Sequence, residues 1–172
     1  MSQLHPIPVS ELHQNVFTAI GKEWMLITAE TEKDGKPTAN TMTASWGGLG
    51  RLWNKDVSFA FIRPQRYTKE FVDNADTFSL CFFGGEKMQE LKYLGTASGR
   101  DEDKIAKSGL TLTHIDGVPC FEEATTVLLC RKMYVQTLRE DCFTDRAVME
   151  SSYPQRDFHD VYVAEIMKVL IK

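Results

Sequence analysis

A chain of 172 residues, 42% hydrophobic and 26% charged, has the composition of an ordinary soluble globular protein. Twenty basic against twenty-four acidic residues leave a net charge of −4, which argues against broad nucleic-acid binding but allows a local basic pocket. Met1 to Leu12 contains His5, Pro6, Pro8 and Glu11 and no long apolar run, and no stretch approaches the ~20 apolar residues of a membrane span, so one cytoplasmic domain over residues 1–172 is expected.

Along the chain, Trp24 to Thr31 has strand composition, and Lys33-Asp34-Gly35-Lys36 is a hairpin turn signal. Pro37 to Ser45 reads as the returning strand, followed by a flexible loop, Trp46 to Gly50. Asp56 to Arg63 alternates Val57, Phe59 and Phe61 against Ser58, Ala60 and Ile62, which predicts a strand with one face strongly buried and the other moderately. A helix is predicted over Thr68 to Asn74 and a buried strand over Thr77 to Phe83. Glu86 to Leu94 places Met88, Leu91 and Leu94 on one side, with Gly95 as C-cap. Ser98 to Asp101 resembles a capping sequence for a surface helix ending at Gly109. Ala124 to Leu138 is long enough for a bent strand, Glu140 to Arg156 is irregular with a short helix, and Val161 to Ile171 is a closing strand. With no regular β-α alternation, a mainly β fold is expected: an antiparallel barrel with helices outside it.

The richest chemistry lies in Arg63-Pro64-Gln65-Arg66-Tyr67-Thr68-Lys69-Glu70-Phe71. A helix N-terminus carries unpaired amides and a partial positive charge, and Arg66, Thr68 and Lys69 add donors at the same place. That arrangement suits a phosphate monoester and lacks the glycines of a P-loop or dinucleotide cradle. A capped helix with solvated basic residues accounts for the local pattern equally well.

Cys81, Cys120, Cys130 and Cys142 form no C-x-x-C pair, and the histidines at 5, 13, 114 and 159 are scattered, so no metal is expected. No nucleophile and base pair stands out either. A phosphate pocket without acid-base machinery points to a cofactor that brings its own reactivity, and FMN fits. Thr41-Met42-Thr43-Ala44-Ser45-Trp46 would supply a backbone edge for the ring and Trp46 a wall, although a threonine-rich edge strand reads the same way.

Three segments together resemble the flavin reductase-like FMN-binding proteins, and among them the flavoredoxin-type branch: Asn40 to Gly48, Arg63 to Lys69, and Tyr93 to Asp101 continuing to Lys104. The resemblance implies a six-stranded antiparallel Greek-key split barrel, a homodimer, and a flavin near the subunit interface. It implies that Met42, Thr43, Ala44, Ser45 and Trp46 line the flavin, and that Arg63, Gln65, Arg66, Tyr67 and Thr68 grip its phosphate and ribityl chain, with Arg100 also on the cofactor. Asp157-Phe158-His159 would correspond to a Gly-Asp-His motif, making His159 the catalytic residue on the nicotinamide side, while Ala164 stands where the family has glycine. Three functions stay open: an NADH- or NADPH-dependent flavin reductase, a flavoredoxin-like carrier served by a redox partner protein, and a non-catalytic FMN-binding or storage module. The glycine-rich Trp46 to Trp53 stretch, with Leu49 and Leu52, is the expected contact surface of the dimer.

Overall fold

A computed structural model describes residues 3–172. In chain order the elements are β1 (His5–Ile7), α1 (Val16–Gly21), β2 (Met25–Lys33), β3 (Lys36–Ala44), β4 (Gly47–Leu52), β5 (Lys55–Ile62), α2 (Tyr67–Asn74) and β6 (Thr77–Phe82). There follow α3 (Met88–Thr96), α4 (Lys104–Ser108), β7 (Leu112–Ile115), β8 (Val118–Phe121), β9 (Thr126–Thr137), α5 (Arg146–Ser152) and β10 (Asp160–Ile171).

The main sheet runs β3-β2-β6-β9-β10-β5-β4, with β1 added on β10, and every pair in it is antiparallel. Its two terminal strands, β3 and β4, do not pair, so the sheet is a split barrel rather than a closed one. The expected six strands are its centre; β4 and β1 extend it, and β7-β8 form a separate hairpin. Register shifts against β9 at Val163/Ala164 and Ile166/Lys168 bend the long β9-β10 pair, as bulges do. Two apolar clusters fill the interior. One joins Ile27, Ala60, Ile62, Phe71, Phe78 and Leu128; the other joins Leu26, Phe83, Leu91, Leu94, Phe121 and Leu129.

Several expectations are corrected. The loop predicted at Trp46 to Gly50 is mostly β4, which pairs with β5 from Gly47↔Ala60 to Leu52↔Lys55. Glycine weakens intrinsic strand preference, but here β5 supplies the ladder, and a Cβ on Gly47 would lie 2.8 Å from the Phe59 carbonyl oxygen. On β5 the more deeply buried face is that of Ser58, Ala60 and Ile62, all fully buried; Val57 on the other face is buried too, but Phe59 and Phe61 are only partly so. The barrel interior takes the small side chains, and Phe59 spreads instead against Gly48 and Gly50.

Gly95 does not end its helix. The chain stays helical to Thr96, with Ala97 as C-cap. Gly95 instead permits close approach to β3, since a Cβ there would stand 3.2 Å from Thr43 Cβ. The next helix is capped by Asp103, whose side chain accepts from the Ala106 amide, and Gly109 closes it in the left-handed region at φ 76° as expected.

Candidate functional site

The C-terminal end of β3, the end of β5, the start of α2 and the residue preceding β10 converge on one cavity. It has a volume of about 260 Å³ and is lined by Met42, Thr43, Ala44, Ser45, Trp46, Phe61, Arg63, Arg66 and His159. Sequence segments more than a hundred residues apart therefore meet there. Because β3 ends the sheet, peptide groups along its outer edge have no ladder partner and present alternating donors and acceptors. The Thr43 hydroxyl donates to the Leu91 carbonyl and ties this edge to α3. A second cavity of about 220 Å³ shares Thr43 and Ser45 and adds Trp24, Leu91 and Gly95.

The basic cluster of the sequence separates into engaged and free cations. Lys69 Nζ is 2.7 Å from both Asp73 and Asp160, so its charge is neutralised and it braces the fold. Arg63 pairs with Asp157 and donates to the Ser152 carbonyl at 2.8 Å, while Gln65 Nε2 donates to the same Asp157 oxygen at 2.8 Å. Arg66 differs. Its Nη1 donates to the Gly95 carbonyl at 2.8 Å, and burial alone lowers its pKa, with no carboxylate nearby to oppose the effect.

Lys104 is a second such cation. It is 3% exposed, and its Nζ donates to the Leu94 and Ala97 carbonyls at 3.0 Å each. Burial first, and then the charge of Arg66, push it down to about 8. Two cations thus hold the last turn of α3, where main-chain carbonyls concentrate negative partial charge. No side chain caps α2; the Lys69 amide donates to the Arg66 carbonyl at 3.0 Å, and among the described residues the Tyr67 and Thr68 amides are left for another acceptor. The result is a locally positive, partly buried place on a chain of net charge −4.

Also in the lining stands His159, 7% exposed, its ring centre 5.0 Å from that of Trp46 and 6.4 Å from that of Phe61. Burial, and then the Arg63 guanidinium, push its pKa down to about 4, so the ring is neutral at ordinary pH. Its Nδ1 is 2.8 Å from the Tyr153 hydroxyl. Trp46 is 47% exposed and forms an open wall.

Of the residues singled out in the sequence, Met42 to Trp46, Arg63, Arg66 and His159 line this cavity together. Thr68 is not in this lining; it is buried, with its hydroxyl accepting from Asn40 Nδ2 at 2.9 Å. Tyr67 and Arg100 stand to one side: the Arg100 guanidinium lies 4.6 Å from the Tyr67 ring centre, and Tyr67 lines a larger groove of about 630 Å³ beside Asn40, Gly99 and Lys104. Arg100 reaches back to the Gln65 carbonyl at 3.3 Å. The sequence does not single out Phe61 or Tyr153 as site residues, and Lys104 enters only as the end of the third resembling segment; a lysine in a short polar helix gives no sign that it points inward. Among the described residues no group of metal-binding side chains occurs, and no helix is long and apolar enough to cross a membrane.

An antiparallel split barrel thus brings a free edge strand, an aromatic wall and one uncompensated guanidinium, Arg66, to one cavity. The sequence profile of the flavin reductase like domain matches residues 17–172, and the chain belongs to that family. Solved structures agree on the fold. A flavoredoxin from Methanosarcina acetivorans superposes with a TM-score of 0.64 at 22% identity, covering 96% of this chain and 76% of its own. An FMN-binding domain of a flavin reductases-like enzyme from Shewanella baltica gives 0.66 at 14% identity, with 99% and 79% covered. An FMN-binding protein from Thermus thermophilus, solved with p-hydroxybenzaldehyde, gives 0.62 at 23% identity, with 98% and 78% covered. Among curated protein sequences none matches the chain.

Proposed function

We propose that the chain binds FMN in the cavity between β3, β5 and α2 and passes electrons through it, as a flavin reductase-like oxidoreductase or a flavoredoxin-like carrier. The observation that carries this reading is Arg66: a partly buried guanidinium with no carboxylate partner, beside the uncapped start of α2. A cation left without a counter-charge inside a protein is costly unless a ligand supplies one, and a phosphate does. The ring would lie where Trp46 and Phe61 offer apolar walls and the free edge of β3 offers donors and acceptors.

Bound FMN supplies the hydride and electron chemistry; the chain supplies orientation, charge and exclusion of water. Arg66 and the Tyr67 and Thr68 amides of α2 would take the phosphate. Thr68 would serve it indirectly, because its bond to Asn40 fixes the helix start. Gln65, Tyr67 and Arg100 contribute by holding the Arg63 to Thr68 turn in place. His159, neutral and within the lining, would stand on the reacting side of the ring, where a pyridine nucleotide would approach.

Steady-state oxidation of NADH and of NADPH, with and without added free flavin, separates the three functions. Flavin-stimulated oxidation of either nucleotide identifies a reductase. Bound FMN that is untouched by both nucleotides but exchanges electrons with a reduced redox protein identifies a carrier, and FMN inert to all donors identifies a storage module.

The chain is also proposed to form a homodimer. Besides Trp46, Trp53 is 55% exposed at the β4-β5 turn, its ring centre 6.1 Å from that of Tyr134. Such exposed aromatic area is typical of contact surfaces. Light scattering is expected to give twice the chain mass, and a concentration-independent monomer removes both the dimer and a flavin at its interface.

A further inference from the structure

Tyr153 lies just beyond α5, buried and outside the cavity lining, yet its hydroxyl reaches His159 Nδ1 at 2.8 Å. Among the described residues that hydroxyl has no other hydrogen-bond partner. A phenol has one hydrogen to give. With no other acceptor in reach, the only way to satisfy the phenol's hydrogen is to donate it to Nδ1. A neutral imidazole that accepts at Nδ1 carries its proton on Nε2.

Neutrality follows from the surroundings. The ring is enclosed by Trp46, Phe61 and Tyr153, and the Arg63 guanidinium stands 5.1 Å from the Tyr153 ring centre and 6.0 Å from that of Trp46. The two carboxylates that would favour a charged ring are committed elsewhere, Asp157 to Arg63 and Gln65, and Asp160 to Lys69 and Thr137. Among the described residues no hydrogen bond reaches Nε2, which is not among the buried unpartnered atoms, so it is open to the cavity.

We infer that Tyr153 is a positioning residue that locks His159 in the Nε2–H tautomer, so that the cavity presents a neutral N–H donor to whatever ligand atom accepts there. The ligand atom is therefore an acceptor, a carbonyl oxygen or an unprotonated ring nitrogen, and not a second N–H. That this ligand is the flavin or its electron donor rests on the function proposed above; the tautomer itself is a property of the chain alone.

Long-range proton–nitrogen NMR of the histidine rings in the flavin-free protein tests it near neutral pH. The expected pattern for His159 is a protonated Nε2 and an unprotonated Nδ1. In Tyr153→Phe, which keeps the stack on Phe143 and Phe158, the Nδ1–H form should become populated and both nitrogen signals move toward the mean. A wild-type protein with Nδ1 protonated overturns the inference, and so does a Tyr153→Phe variant with the His159 pattern unchanged. Should that variant not fold, the wild-type tautomer decides. Adding FMN to the labelled wild type separates the two proposals: absence of binding removes the flavin reading and leaves the tautomer standing, whereas binding to a protein with Nδ1 protonated removes only the inference.

Discussion

Arg66→Ala is expected to weaken FMN binding by roughly ten- to a hundredfold. A hydrogen bond to a charged group contributes ~1.5–3 kcal/mol, and each ~1.4 kcal/mol is tenfold in affinity. The effect should fall on FMN and spare riboflavin, because only the phosphate would meet the guanidinium. Folding should be little affected. The substitution removes one bond to the Gly95 carbonyl, but it also removes a desolvated charge and relieves its repulsion of Lys104. Turnover at saturating FMN should then largely recover, since the phosphate contact is the same in both redox states. Arg63→Ala makes the contrast. Arg63 already serves Asp157 and the Ser152 carbonyl, so its loss should loosen the segment leading into β10 and leave an unpaired carboxylate. Fluorescence titration of both variants with FMN and riboflavin checks the pair. Equal losses for the two ligands in Arg66→Ala would place the phosphate elsewhere.

The second large effect is a pH dependence of stability carried by His159. Its pKa is about 4 in the folded chain against an ordinary 6.5. Between those values the unfolded chain binds more protons than the folded one, so stability rises with pH across the window. The contribution is fully present above about 6.5 and is lost as pH falls toward 4; the gap corresponds to about 3 kcal/mol. Asp157 and Asp160, the carboxylates nearest the ring, are both held below the ordinary carboxylate range, by Arg63 and Gln65 and by Lys69 and Thr137 respectively, and titrate below this window. Lys104, at about 8, lies above it. Urea unfolding of wild type and His159→Phe from pH 7 down to about 4 should therefore show a markedly shallower loss in the variant. Parallel losses would mean that the histidine is not desolvated as its packing implies.

Much of this architecture was legible in the chain, and the reasons differ by element. β2 and β3 announced themselves through β-branched residues around an Asp34-Gly35 turn, and both turn residues take positive φ as that turn requires. β4 was not legible, because Gly47, Gly48 and Gly50 suppress local strand preference and only pairing with β5 makes it one. The Val118 to Phe121 hairpin strand was missed although Asp116-Gly117 carries the same turn chemistry, with φ 51° and 78°.

The site divides similarly. Contiguous stretches such as Met42 to Trp46 and Arg63 to Arg66 could be picked from residue type and spacing. Which of their charges are free could not be picked that way. Arg63 is neutralised by a carboxylate 94 residues away and Lys69 by Asp160, while Arg66 has none; those are facts of the closed sheet ladder between β5 and β10. The tautomer of His159 likewise depends on Tyr153, six residues away but across a turn that composition does not describe.

The most direct test is titration of flavin-free protein with FMN and, in parallel, with riboflavin at the same ionic strength. Saturation at one FMN per chain, with riboflavin weaker by at least roughly tenfold, is the expected result for a phosphate held by a charged donor. Equal affinity for the two contradicts a phosphate site at Arg66 and the start of α2, and binding of neither contradicts a flavin in this cavity.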